Sequence, residues 1–162
     1  MDHSLMQKCL DEEKQYQFTS FSHKDALDLG MELLKVSQEK KEVVAIEVRI
    51  NQVSVFRYLP DGTGKFHEMW LQRKSNIVDV MEMSTLRAYA QLEANQEDML
   101  KDWILEPKDY AACGGGFPIR LKGGSVIGSI CVSGLPHLKD HAILIGGISS
   151  FLETYVKIKK KS

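Results

Sequence analysis

His137 and His141 stand four residues apart with Asp140 between them, just after Leu135-Pro136. Two imidazoles one helical turn apart can reach a single metal ion, and the carboxylate can complete a three-ligand set. The same residues also suit a plain structural role, Asp140 favouring the positive end of a helix that begins near Pro136 and His141 making a local hydrogen bond. Trp70, Arg73 and Lys74 form a second constellation. A guanidinium offers a planar fork to a carboxylate or phosphate, and an indole one turn earlier can stack on it or on a ligand. Two cations on one turn equally suit a solvated or subunit-contacting face. The third candidate is Cys113 with Gly114, Gly115, Gly116 and Phe117. Glycines let backbone amides approach a ligand with no Cβ in the way, and the thiol is a candidate nucleophile or soft ligand. No neighbour in sequence supplies the cation that would activate Cys113, and the run also reads as a strand entry fixed by Pro118.

Several catalytic patterns fail on inspection. His67-Glu68 begins the zinc-protease spacing H-E-x-x-H, but Leu71 occupies the second ligand position. The glycine run is neither G-x-G-x-x-G nor followed by Gly-Lys-Ser/Thr, which removes the usual phosphate loops. Ser133-Gly134 follows Cys131-Val132 and so lacks the first glycine of a G-x-S-x-G nucleophile elbow. No nucleophile, base and orienting group can be named together, so whether the chain is an enzyme stays open.

The elements that must position these residues are legible from periodicity. A short helix is expected over residues 4–14, with Leu5, Cys9 and Leu10 on one side. Ser22 with Asp25 three residues later predicts a capped helix carrying Ala26, Leu27, Leu29, Gly30, Leu33, Leu34 and Val36 at helical spacing. Residues 43–50 and 53–59 read as a hairpin turning at Asn51-Gln52, with Glu47 and Arg49 facing outward. Helical spacing resumes at Trp70, Ile77, Val78 and Met81, again over 84–95, and in a short piece over 99–105 stopped by Pro107. Two apolar runs, 117–121 and 126–132, flank Lys122-Gly123-Gly124-Ser125, where a glycine pair can take both positive-φ turn positions. A closing helix is expected over 137–151. Strands in hairpins rather than βαβ alternation predict an α+β architecture, an antiparallel sheet with helices packed on it.

The chain of 162 residues is large enough for one domain with its own core. A net charge of −1 gives no overall attraction for nucleic acid, and the one basic run, 157–161, reads as a solvated tail. No apolar stretch approaches the ~18–20 residues of a membrane span. The first residues lack the apolar core of a signal peptide, and three widely spaced cysteines without C-x-x-C suit reduced thiols, so a cytoplasmic location is expected.

GGFPI at 115–119, GSICVSG at 128–134 and Asp140-His141 resemble the closing segment of the haem-degrading-domain family, GlcG/HbpS-like. VSGLP at 132–136 with Asp140-His141, and the W-x-x-R-K…S pattern of Trp70, Arg73, Lys74 and Ser84, resemble a sub-branch of small proteins within it. The resemblance spans about residues 20–155. It implies a profilin-like fold with residues 1–20 as an N-terminal helix or arm, 21–156 as the single domain and 157–162 as a basic tail. It also implies a homo-oligomer and a small ligand, haem being the cofactor the family name carries. The pocket would lie between the Trp70 helix and the 114–117 loop, with His137 or His141 as ligands. The competing reading is a non-enzymatic oligomeric scaffold or chaperone-type interaction protein.

Overall fold

Ser22 caps its helix as the spacing predicts, in a computed structural model that describes residues 2–161 and the side chains of residues 2–155. Its hydroxyl accepts the Asp25 N–H at 3.1 Å while the Asp25 carboxylate accepts the Ser22 N–H at 2.8 Å, a complete capping box. The helix is α2 (His23–Glu39), preceded by α1 (Ser4–Gln15). A hairpin follows, β1 (Ala45–Ile50) and β2 (Val53–Tyr58), turning through Asn51 and Gln52 at φ of 50° and 66°. Positive φ at both turn residues matches the twist of the strands they join. Then come α3 (Lys65–Met81), α4 (Thr85–Asn95) capped by the Ser84 hydroxyl, and the single turn α5 (Met99–Asp102). A second hairpin, β3 (Gly116–Arg120) and β4 (Val126–Ser133), leads into α6 (His137–Lys161). The basic run 157–161 lies along the backbone of α6, its side chains outside the described residues.

The four strands form one antiparallel sheet in the order β2-β1-β4-β3. This is the α+β arrangement of hairpins and packed helices that the pattern predicts, with helices on both faces. One face carries α2 and α6 over the main core, where Ile46, Val48, Ile130 and Val132 meet Leu29, Leu33, Ile143, Leu144 and Ile148. The other face is covered by α3, and there the sheet is partly polar.

Glu47 and Arg49 therefore do not face solvent as the alternation predicts. Glu47 is 1% exposed, and its carboxylate accepts the Arg57 guanidinium at 2.6 Å and the Ser54 hydroxyl at 2.9 Å. Arg49 reaches up to Gln72 and Ser75 on α3. Period-two alternation separates the faces of a strand but cannot tell that a helix will cover the polar one. Leu27, expected on the apolar side of α2, is 46% exposed instead.

The sheet edges differ. Beside β3, Phe18 N–H donates to Arg120 O and Lys122 N–H to Phe18 O, so the residues after α1 shield that edge. Strand β2 has no strand partner on its outer side among the described residues. The segment before residue 21 is anchored as well: Cys9 is fully buried, Glu12 bonds His141 of α6 and Glu13 lies beside Arg87 of α4.

Candidate functional site

Trp70 and Lys74 are one turn apart and share a face of α3, whereas Arg73 and Lys74 are adjacent and point about 100° apart. The anion clamp expected from Arg73 and Lys74 thus does not assemble. Arg73 turns outward, stacks its guanidinium 4.2 Å from the Trp70 ring centroid, and donates to Pro107 O at 2.7 and 3.1 Å. It ties the loop after α5 to α3. Lys74 turns inward to 2% exposure and donates to Val132 O at 2.9 Å and to the Asp140 carboxylate at 3.1 Å.

This buried pair is the floor of a cleft of about 320 Å³ bounded by α3, the loop before β3 and the turn from β4 into α6. Phe66, His67 and Trp70 form its aromatic wall, with the Phe66 and Trp70 rings edge to face at 6.2 Å. Cys113, Ser133, Gly134, Leu135, His137 and Asp140 complete it. The cavity lies at the small end of the ~300–1,000 Å³ typical of ligand pockets. A second cleft of about 400 Å³, between residues 15–20 and Phe151–Tyr155, has no histidine, cysteine or buried cation among its described lining residues.

The geometry around Asp140 explains the turn. Its carboxylate accepts the Leu135 N–H at 3.0 Å and the Lys74 ammonium, fixing the entry of α6 over the end of β4. Burial pushes the carboxyl above the usual carboxylate range, a shift that Lys74 opposes. His137 Nδ1 accepts the Gly114 N–H at 2.9 Å, and the ring stands edge to face with Tyr89 at 4.8 Å. Burial and then the nearby Lys74 charge hold the His137 pKa below its ordinary value, which keeps the imidazole neutral. A neutral ring accepting at Nδ1 carries its proton on Nε2. Burial likewise raises the Cys113 thiol, Lys74 only partly offsetting it, so the thiolate is disfavoured.

His137, Asp140 and His141 do not converge on a metal. Asp140 is committed to Lys74 and Leu135. His141 points away from the cleft and shares a 2.9 Å hydrogen bond with Glu12 on α1. Among the described residues no group of three His, Cys, Asp or Glu side chains is placed to hold an ion. The i, i+4 spacing puts both rings on one side of α6, yet each meets a different neighbour. Gly114, Gly115 and Gly116 are not among the residues lining the cleft. Gly115 has φ of +124°, and a Cβ there would strike Val132 O and stand 2.6 Å from Lys74 Nζ. Gly114 and Gly116 press against His137 and Thr85 in the same way. Phe117 is 1% exposed in the main core on the far side of the sheet. Of the residues singled out in the sequence, the structure gathers Trp70, Lys74, Cys113, His137 and Asp140 in one cleft.

Phe66, His67, Ser133, Gly134 and Leu135 also line the cleft, and the sequence pattern offers none of them as a binding residue: His67 and Ser133 enter it only through catalytic motifs that fail. The signal for part of it was present: Phe66, Trp70 and Lys74 recur every four residues, one stripe along α3.

A model of the family described as haem-degrading protein, HbpS-like, matches residues 21–149. The chain belongs to the HbpS-like haem-degrading family. A UPF0303 protein of Yersinia enterocolitica is 34% identical over 144 residues, covering 89% of this chain and 86% of that relative. Among solved structures, the Ybr137w protein superposes with a TM-score of 0.85 at 21% identity, covering 93% of this chain and 89% of that one. A haem complex of PduOC superposes with a TM-score of 0.69 at 14% identity, covering 81% and 94%. At these identities the structural likeness establishes a shared HbpS-like fold, and the site rests on this chain's own residues.

Proposed function

We propose that this HbpS-like protein binds a small cofactor-like ligand in the cleft between α3 and the β4–α6 turn, haem or a related molecule being the ligand. The observation that carries the reading is the cleft itself, an aromatic wall of Phe66 and Trp70 above a floor holding a buried cation, Lys74. That combination suits a flat molecule with a polar edge. The complex of PduOC with haem supports the choice of ligand class. The three unpaired cysteines suit a reducing compartment such as the cytoplasm.

Native mass spectrometry of the purified protein, before and after adding haem, tests this together with subunit number. A stoichiometric haem adduct that is lost in Trp70→Ala is the expected result. No uptake, or uptake unchanged in Trp70→Ala, would overturn the assignment. An oligomeric scaffold or interaction protein is the second reading, favoured by Phe66 at 68% and Met69 at 53% exposure near the cleft and by the unpaired edge of β2. An oligomer that takes up no ligand in the same experiment would support it.

A further inference from the structure

The polar groups around the cleft are unequal in kind. Asp140 has both carboxylate oxygens engaged, one by Leu135 N–H and one by Lys74. Beside it stand donors with capacity to spare. Lys74 has three N–H bonds and two acceptors, Val132 O and Asp140. The Ser133 hydroxyl is 96% buried by residue, lines the cleft and makes no side-chain hydrogen bond among the described residues. His137 carries its proton on Nε2, because Nδ1 is occupied by Gly114 N–H. A pocket lined by unspent donors fits an acceptor-rich ligand, and an anionic acceptor most of all.

The same accounting speaks against iron. Both imidazoles of the cleft spend the Nδ1 lone pair on a backbone amide, His137 on Gly114 and His67 on Gly64 at 3.1 Å. A ring that accepts at Nδ1 carries its proton on Nε2, which leaves no lone pair there for a metal. His141 is outside the cleft and held by Glu12, and Cys113 is kept as a thiol by burial. The residues present fit the carboxylates of a porphyrin and do not fit its iron.

We propose that the cleft recognises a planar organic carboxylate, its carboxylate received by Lys74, Ser133 and His137 and its ring laid against Trp70, so that a porphyrin is held through its propionates and not through its metal. This rests on the cleft being the ligand site, as proposed above, and deepens it by naming the recognised group.

The test compares three porphyrins on the full chain, by Soret absorbance titration and native mass spectrometry: haem, metal-free protoporphyrin IX and its dimethyl ester. The expected result is that haem and the metal-free acid bind alike. The ester, which keeps the ring and loses the charge, should bind about tenfold or more weakly, the worth of a charge-assisted hydrogen bond. Ser133→Ala, a small change at a site with no structural bond to lose, should weaken both acids more than the ester, whose neutral carbonyl accepts a weaker hydrogen bond. Binding of haem but not of the metal-free acid, or an ester as tight as the acid, would overturn the proposal while leaving haem as the ligand. If no porphyrin enters, the haem assignment fails and a smaller pair decides: naphthalene-2-carboxylate against its carboxamide, by calorimetry. Preference for the acid by about tenfold, lost in Ser133→Ala, supports carboxylate recognition. Equal binding or none refutes it.

Discussion

Removing the ammonium from the cleft floor gives a sharp test of the structure. In Lys74→Met the aliphatic stem is largely kept, so the packing of α3 on β4 and the start of α6 changes little and the loss is electrostatic. Both members of the pair are 2% exposed, so solvent screening does little for the carboxylate left behind. Breaking a buried pair by removing one partner costs about 3–5 kcal/mol. For a chain of this size each kcal/mol lowers Tm by about 2–4 °C, so the variant should melt roughly 6–20 °C lower. Two further results identify the cause. Asp140 already has its pKa raised by burial, and without Lys74 the opposing contribution disappears, so the pKa rises further. A carboxyl with a raised folded pKa binds protons more readily in the native state. Stability therefore falls as pH rises from the unfolded value through the folded one, and the deficit of Lys74→Met should shrink as the solution is acidified. Adding Asp140→Asn removes the orphaned charge while its side-chain oxygen still accepts Leu135 N–H, and should recover about 2 kcal/mol at neutral pH. Chemical denaturation across pH, with calorimetry, measures all three. A Lys74→Met protein within ~2 °C of the parent, or strictly additive losses in the double variant, would refute the reasoning.

His141→Ala should leave ligand uptake in the cleft unchanged and cost about 2 kcal/mol by freeing Glu12, seen as a lower Tm and faster proteolysis within α1. Thiol labelling at neutral pH should be slow for all three cysteines and fastest at Cys113. Burial raises that thiol while it still lines the cleft, whereas the Cys9 thiol is pushed up to about 12 and Cys131 is fully enclosed. A bound ligand should slow Cys113 further, and labelling of Cys9 ahead of Cys113 would contradict the burial seen here. Gly115→Ala combines a left-handed backbone with a collision at Val132 O, and a loss above about 3 kcal/mol in urea denaturation is expected. A neutral effect would show that the loop before β3 is looser than its packing against Lys74.

Local spacing was enough for the elements. The Ser22–Asp25 pair and the Asn51-Gln52 and Gly123-Gly124 turns are each written within a few residues, and the structure has each of them. The antiparallel α+β architecture followed because hairpin turns dictate which strands pair first, and the resemblance to the HbpS-like family was carried by short contiguous motifs. Side-chain partners were another matter. The sequence places Lys74 beside Arg73 and Asp140 beside His141, and both pairings mislead, because neighbours on a helix diverge. Lys74 meets Asp140 across 66 residues, Glu47 is covered because α3 lies over that face, and His141 belongs to α1 through Glu12 across 129. A charged residue shows its type in sequence and its partner only once the layers are stacked, since desolvation and pairing depend on which element arrives opposite. The order of helices and strands was thus set by the chain locally, while the cleft, its donors and its buried ion pair exist only in the assembled fold.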